Sequence, residues 1–86
     1  MTPDDFRRLA LSLPDAVESA HHGHPDFRVG DRIFATLGWR DPAFGVVLLS
    51  PDEQAILVSA EPAIFTPVPG GWGRKGSTLF ALAHAD

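Results

Sequence analysis

The sequence predicts an α+β domain of two layers, with helices on one face of an antiparallel β-sheet. Three observations predict it. Two segments open with helix-start chemistry, Thr2-Pro3-Asp4-Asp5 and Ser50-Pro51-Asp52-Glu53. Between them lie apolar runs broken by turn residues, over 26–37 and 44–49. A last apolar run, Ser77 to Ala83, follows a stretch rich in proline and glycine. Helices set around runs of strands, without strict βαβ alternation, lead to an antiparallel sheet. The chain has 86 residues, and residues 1–86 are read as a single domain. A chain of this size hides only about 60–65% of its unfolded surface, enough for one small core.

Taken in order, Thr2 suits a helix cap, Pro3 the first helical position, and Asp4 and Asp5 the positive end of the dipole. Phe6, Leu9, Ala10 and Leu13 recur at helical spacing, so residues 2–13 form an amphipathic helix that Pro14 ends. Residues 16–24, AVESAHHGH, hold one short strand. Asp26 to Val29 alternates polar and apolar residues. It is joined by Gly30-Asp31 to Arg32–Leu37, a hairpin signal. Gly38 to Pro42 is a loop, and Phe44–Leu49 is a buried strand. Ser50 caps a helix over 51–60, with Glu53 three residues after the cap completing a capping box. Pro62, Pro67 and Pro69 keep the chain extended, a glycine loop follows, and residues 77–83 form the last strand.

Composition narrows the function. Apolar residues make up 44% and charged residues 21%, the mixture of a globular protein. There is no cysteine, so disulfides, thiolate metal sites and a cysteine nucleophile are excluded. No apolar run approaches the roughly 20 residues that span a bilayer, and no membrane role is expected. The start lacks the apolar core of a signal peptide, so a cytoplasmic location is expected. The net charge is −4, which disfavours nucleic acid as a partner. The charge is unevenly spread. Residues 1–61 carry five arginines against ten acids, whereas residues 62–86 carry Arg74 and Lys75 against Asp86 alone.

The segment Gly71-Trp72-Gly73-Arg74-Lys75-Gly76 matches G-x-G-x-x-G, the fingerprint of dinucleotide-binding loops. Its context does not fit. That fingerprint needs a buried strand before it, a helix after it and an acid about 20 residues further on. Prolines precede this one, a strand follows it, and ten residues remain after Gly76. The P-loop order Gly-Lys-Ser/Thr is also absent. Two readings of the turn stand. In one, it is a tight connection whose glycines supply positive φ and whose Trp72 anchors on the core. In the other, an exposed tip presents an aromatic ring and two cations.

His21, His22 and His24 form the one histidine cluster, and Asp26 lies close by in sequence. On a single strand His22 and His24 share a face and His21 does not. No further ligands converge with them, so no metal and no cofactor is expected. Trp39 reads as a core anchor. No serine stands in a nucleophile elbow, and the paired acids are first-turn helix charges. An enzyme is not expected, and no catalytic residue is named.

Two stretches, "GHPDFRVGDRIFATL" (23–37) and "PVPGGWGRKG" (67–76), together resemble the MmcQ/YjbR family. The opening "FRRLALSLPDAVES" and the helix after Ser50-Pro51 are similar in placement. The resemblance implies a CyaY-like fold and a non-enzymatic binding domain, of a family described on structural grounds as candidate DNA-binding proteins. The motif surface it implies comprises His24, Phe27 and Arg28 together with Trp72, Gly73 and Arg74. With the cations, the DNA-binding set is His24, Arg28, Arg40, Trp72, Arg74 and Lys75, with duplex DNA as partner. The alternative is a protein-interaction or small-ligand adaptor using the same tip. This sequence departs from the pattern at Ser77, where an aromatic is usual, and in having no C-terminal helix after the last strand. That departure implies an uncovered strip at Leu79, Phe80 and Leu82, and self-association through it.

Overall fold

The computed structural model describes residues 1–38 and 43–85 of the chain. Helix α1 spans Pro3–Leu11. The Thr2 hydroxyl accepts from the Asp5 N–H at 3.1 Å, and the Asp5 carboxylate accepts from the Thr2 N–H at 3.0 Å. The same backbone hydrogen bond holds the Asp5 carboxyl below its usual pKa. The helix stops before Pro14 is reached. Ser12 turns its hydroxyl back onto the Leu9 carbonyl at 2.6 Å, the local competition that favours serine at helix ends. Helix α2, Pro51–Ala60, opens on the reciprocal Ser50–Glu53 box.

The strands are β1 (Ala16–His21), β2 (His24–Val29), β3 (Arg32–Leu37), β4 (Phe44–Leu48), β5 (Phe65–Pro67) and β6 (Ser77–Ala81). They form one sheet in the order β1-β2-β3-β4-β6-β5, and every pair is antiparallel. The fold is α+β, as the sequence predicts. Besides β5, which forms where only an extended segment is expected, three details differ. Residues 16–24 are not one strand: β1 and β2 form a hairpin through His22-Gly23, with φ of 51° and 79°. Histidine tolerates the left-handed region better than most residues, so this turn carries a weaker signal than Asn-Gly. The glycine loop contains a one-turn helix, α3, Gly71–Arg74. The last strand ends at Ala81, where a 3₁₀ turn, Leu82–His84, begins. β5 is an edge strand, the position at which its proline is tolerated.

Register sorts the side chains onto two faces. Phe27, Ala35, Val47 and Thr78 lie in one row across the sheet, and Leu37, Gly45, Phe80 and Phe65 in the next. Helix α1 covers this face through Phe6, whose ring centroid lies 6.1 Å from that of Phe27 and 5.5 Å from that of Phe80. The core cluster is Phe6, Phe27, Ala35, Leu37 and Leu82. A bulge makes Phe34 an extra residue opposite Phe27 and Arg28. Phe34 and Ala35 both line the groove beneath α1. Thr78 shares the face of Phe80, and Gln54 of α2 reaches it, so both longer helices serve this side. Of the strip expected to be uncovered, Leu82 is buried, and Phe80 is half-buried with its ring seated between Phe6 and Phe65. The amino group of Met1 donates to the Leu82 and Ala85 carbonyls and draws the N-terminal segment over this end.

Phe27 is completely buried. Phe27→Ala is expected to cost about 3–5 kcal/mol through lost transfer energy and a residual cavity. Urea denaturation would measure it, and a cost below about 1 kcal/mol would show that the core has been misassigned.

Candidate binding site

The second face of the sheet carries neither α1 nor α2. Asp26, Thr36, Val46, Leu79 and Thr66 alternate onto it, and Leu48 lies beside Ser77. A cleft of about 480 Å³ opens here, lined by His21, His22, Ile33, Thr36, Val46, Leu48, Val68, Trp72 and Ser77. Its floor is apolar because three of these are sheet aliphatics, Ile33, Val46 and Leu48, and Val68 enters from the connection before α3.

One end of the cleft is polar. The Asp26 carboxylate is fully buried, and three donors satisfy it. Arg28 Nε approaches Oδ1 at 2.7 Å and Arg28 Nη2 approaches Oδ2 at 3.0 Å, a bidentate pair. His21 Nδ1 lies 2.8 Å from Oδ2. The Arg28 hydrogen bonds, helped by His21 and opposed by burial, hold the Asp26 carboxyl down at about 2. An ionised carboxylate only accepts, so Nδ1 of His21 carries the proton, and Nε2 has no partner among the described residues. The hairpin produces this contact. Because His22-Gly23 turn the chain, His21 pairs with His24 and shares a face with Asp26. The single-strand reading had placed His21 on the opposite side.

The other end of the cleft is the α3 tip. Gln54 Nε2 lies within hydrogen-bonding distance of the Gly73 carbonyl (2.9 Å), the Ser77 carbonyl (3.1 Å) and Thr78 Oγ1 (3.2 Å). The buried Thr78 hydroxyl donates to the Gly76 carbonyl at 2.9 Å. The tip is therefore pinned by one amide from α2 and one hydroxyl from β6. It exposes Trp72, 69% accessible, with Arg74 and Lys75. The core-anchor reading of Trp72 does not hold. Val68 is the residue buried beneath this segment, and the glycines allow α3 to sit tightly on the backbone.

The expected DNA-binding set divides. Trp72, Arg74 and Lys75 are all exposed on one turn, where helical spacing puts Trp72 and Lys75 on one side and Arg74 on the other, and among the described residues neither cation is paired. Arg28 is occupied by Asp26. His24 is half-buried on β2 opposite His21, away from the tip in the strand order. Arg40 and Trp39 lie outside the described residues. Sequence reasoning missed the Asp26–His21 contact, the Gln54 clamp and the cleft itself. No sequence signal set Gln54 apart, because it follows Asp52 and Glu53 in the polar opening of α2. The His21 and His22 rings sit 5.9 Å apart, edge to face. Among the described residues no cluster of three His, Asp or Glu converges.

A scan of protein-family models matches residues 11–84 to the family described as YjbR. No curated protein and no solved structure matches the chain.

Proposed function

This chain belongs to the YjbR family, and on that premise we propose that it is a non-enzymatic binding domain whose α3 tip contacts nucleic acid, duplex DNA included. The observation that carries the reading is the joint exposure of Trp72, Arg74 and Lys75 on one clamped turn. Arginine and lysine neutralise phosphate, and a rigid tip presents them at little entropic cost. The remaining surface is acidic, so contact is local and few phosphates are engaged.

That restriction makes the expectation quantitative. Two phosphate contacts give a salt slope near −2, so affinity for a labelled duplex of about 20 base pairs should fall about tenfold between about 50 and about 200 mM salt. Fluorescence anisotropy reads this directly. The Arg74→Ala/Lys75→Ala double variant should lose nearly all binding and its salt dependence, because neither side chain supports the fold. Binding that survives the double substitution would remove the tip from the interface. A folded wild-type protein that binds no DNA at low salt would end the nucleic-acid reading. The acidic body favours the second reading, an adaptor for a protein or a small ligand at the same tip.

A further inference from the structure

Trp72 belongs to two features at once. It is the exposed aromatic of the basic tip, and it is a wall of the cleft on the helix-free sheet face. The exposed cations Arg74 and Lys75 therefore belong to the same short turn as a wall residue of a concave, largely apolar site. Its volume of about 480 Å³ lies in the range of small-molecule pockets. The Trp72 indole and the His21 imidazole both line this cleft, over a floor that includes Val46 and Leu48.

The polar groups say what kind of ring. Asp26 fixes the His21 proton on Nδ1, so in the neutral imidazole Nε2 is an acceptor without a partner among the described residues. The ligand then needs an N–H or O–H at its edge. Thr36 and Ser77 add hydroxyls to the lining, and a hydroxyl both donates and accepts. Apolar faces with donors and acceptors around the rim describe a planar nitrogen heterocycle. With Lys75 one helical turn from Trp72 and Arg74 on the same short turn, a phosphate attached to that heterocycle meets complementary charge.

We infer that the cleft receives a nucleobase-type heterocycle, stacked against Trp72 and hydrogen-bonded to His21, with its phosphate held by Arg74 and Lys75. The inference rests on the nucleic-acid reading of the tip and deepens it. A base paired in a duplex cannot enter the cleft. An unpaired base can, so a single strand is held more tightly than a duplex of the same sequence. The two sources of such a ring are an unpaired strand and a free nucleotide.

The test uses the full chain and three probes: a labelled single strand of about 12 nucleotides, its duplex, and free nucleoside monophosphates. Leu48→Trp fills the cleft from a half-exposed position on β4, and His21→Ala removes the hydrogen-bonding ring. Circular dichroism confirms that each variant folds. Stacking of one base predicts that the single strand binds about tenfold or more tightly than the duplex. Both variants should abolish that preference and leave the duplex affinity unchanged. Monophosphates that bind and are lost in Leu48→Trp, with no oligonucleotide binding, support the heterocycle site and overturn the DNA reading of the tip. Equal affinity for strand and duplex, unaffected by Leu48→Trp and His21→Ala, overturns the inference and leaves the basic tip standing. Failure of all three probes to bind overturns both.

Discussion

Gly73→Ala and Gly76→Ala are each expected to cost at least about 3 kcal/mol, the range kept for overpacking and backbone strain against fixed neighbours. A Cβ on Gly73 would stand 1.8 Å from the Val68 carbonyl oxygen, and one on Gly76 would stand 1.8 Å from that of Leu49. Both obstacles are backbone, so no rotamer change relieves them. Each obstacle is also held in place. The Val68 N–H donates to Ser77, and the Leu49 N–H donates to Gly76 itself at 3.1 Å. Gly76 adds a φ of 114°, a region that disfavours any side chain. A chain of this length has about 4–13 kcal/mol of total stability, so either substitution removes a large share of it. Gly30→Ala is the control. Its φ is 64°, and nothing lies within 4 Å of its Cβ, so its cost should stay near 1 kcal/mol. Urea melts of the three variants decide the matter. Equal costs at Gly73 and Gly30 would show that α3 does not seat on the Val68 backbone.

Removal of Asp26 should have the second large effect. Taking one partner from a buried charge pair costs about 3–5 kcal/mol when the other charge stays buried. The Arg28 side chain is 32% exposed and recovers some hydration, so Asp26→Ala is expected near the lower bound. The same group sets an acid limit on stability. Its carboxyl titrates at about 2 in the folded protein against 3.8 for an unperturbed aspartate. The unfolded chain therefore takes up the proton first as pH falls. Asp26 contributes its full stabilisation above about pH 4 and loses it progressively as pH drops from about 4 to about 2. The difference is worth on the order of 2 kcal/mol. Asp26→Asn should flatten the stability–pH curve in that window while lowering it at neutral pH. A wild-type curve with no slope there, or an Asp26→Asn curve with the same slope, would refute the pairing.

These two sites mark where the sequence stops being sufficient. Local chemistry was legible in it. The two capping boxes, the Gly30-Asp31 turn, strand β3 and helix α2 follow from residues within a few positions of one another, and hydrogen bonds of short sequence separation leave short sequence signals. The strand that the sequence places after the glycine segment is present as β6. Family membership was legible too, because the two motifs stand in order along most of the chain.

The site itself was decided by contacts between distant segments. A single residue at the His22-Gly23 turn determines whether His21 faces Asp26 or faces away, since a strand reverses its side chains at every step. The glycine at 73 matters because of Val68 and the glycine at 76 because of Leu49, neither of which is visible in a G-x-G-x-x-G pattern. Arg28 is a cation in the sequence but a committed partner of Asp26 in the fold, and Trp72 is a large apolar residue that the fold leaves in solvent. The sequence by itself determined helices α1 and α2 and strands β3, β4 and β6, since those rest on capping, backbone propensity and alternation. Only the tertiary structure decided which side chains remain free to bind, because pairing, burial and exposure depend on what the rest of the chain places opposite each residue.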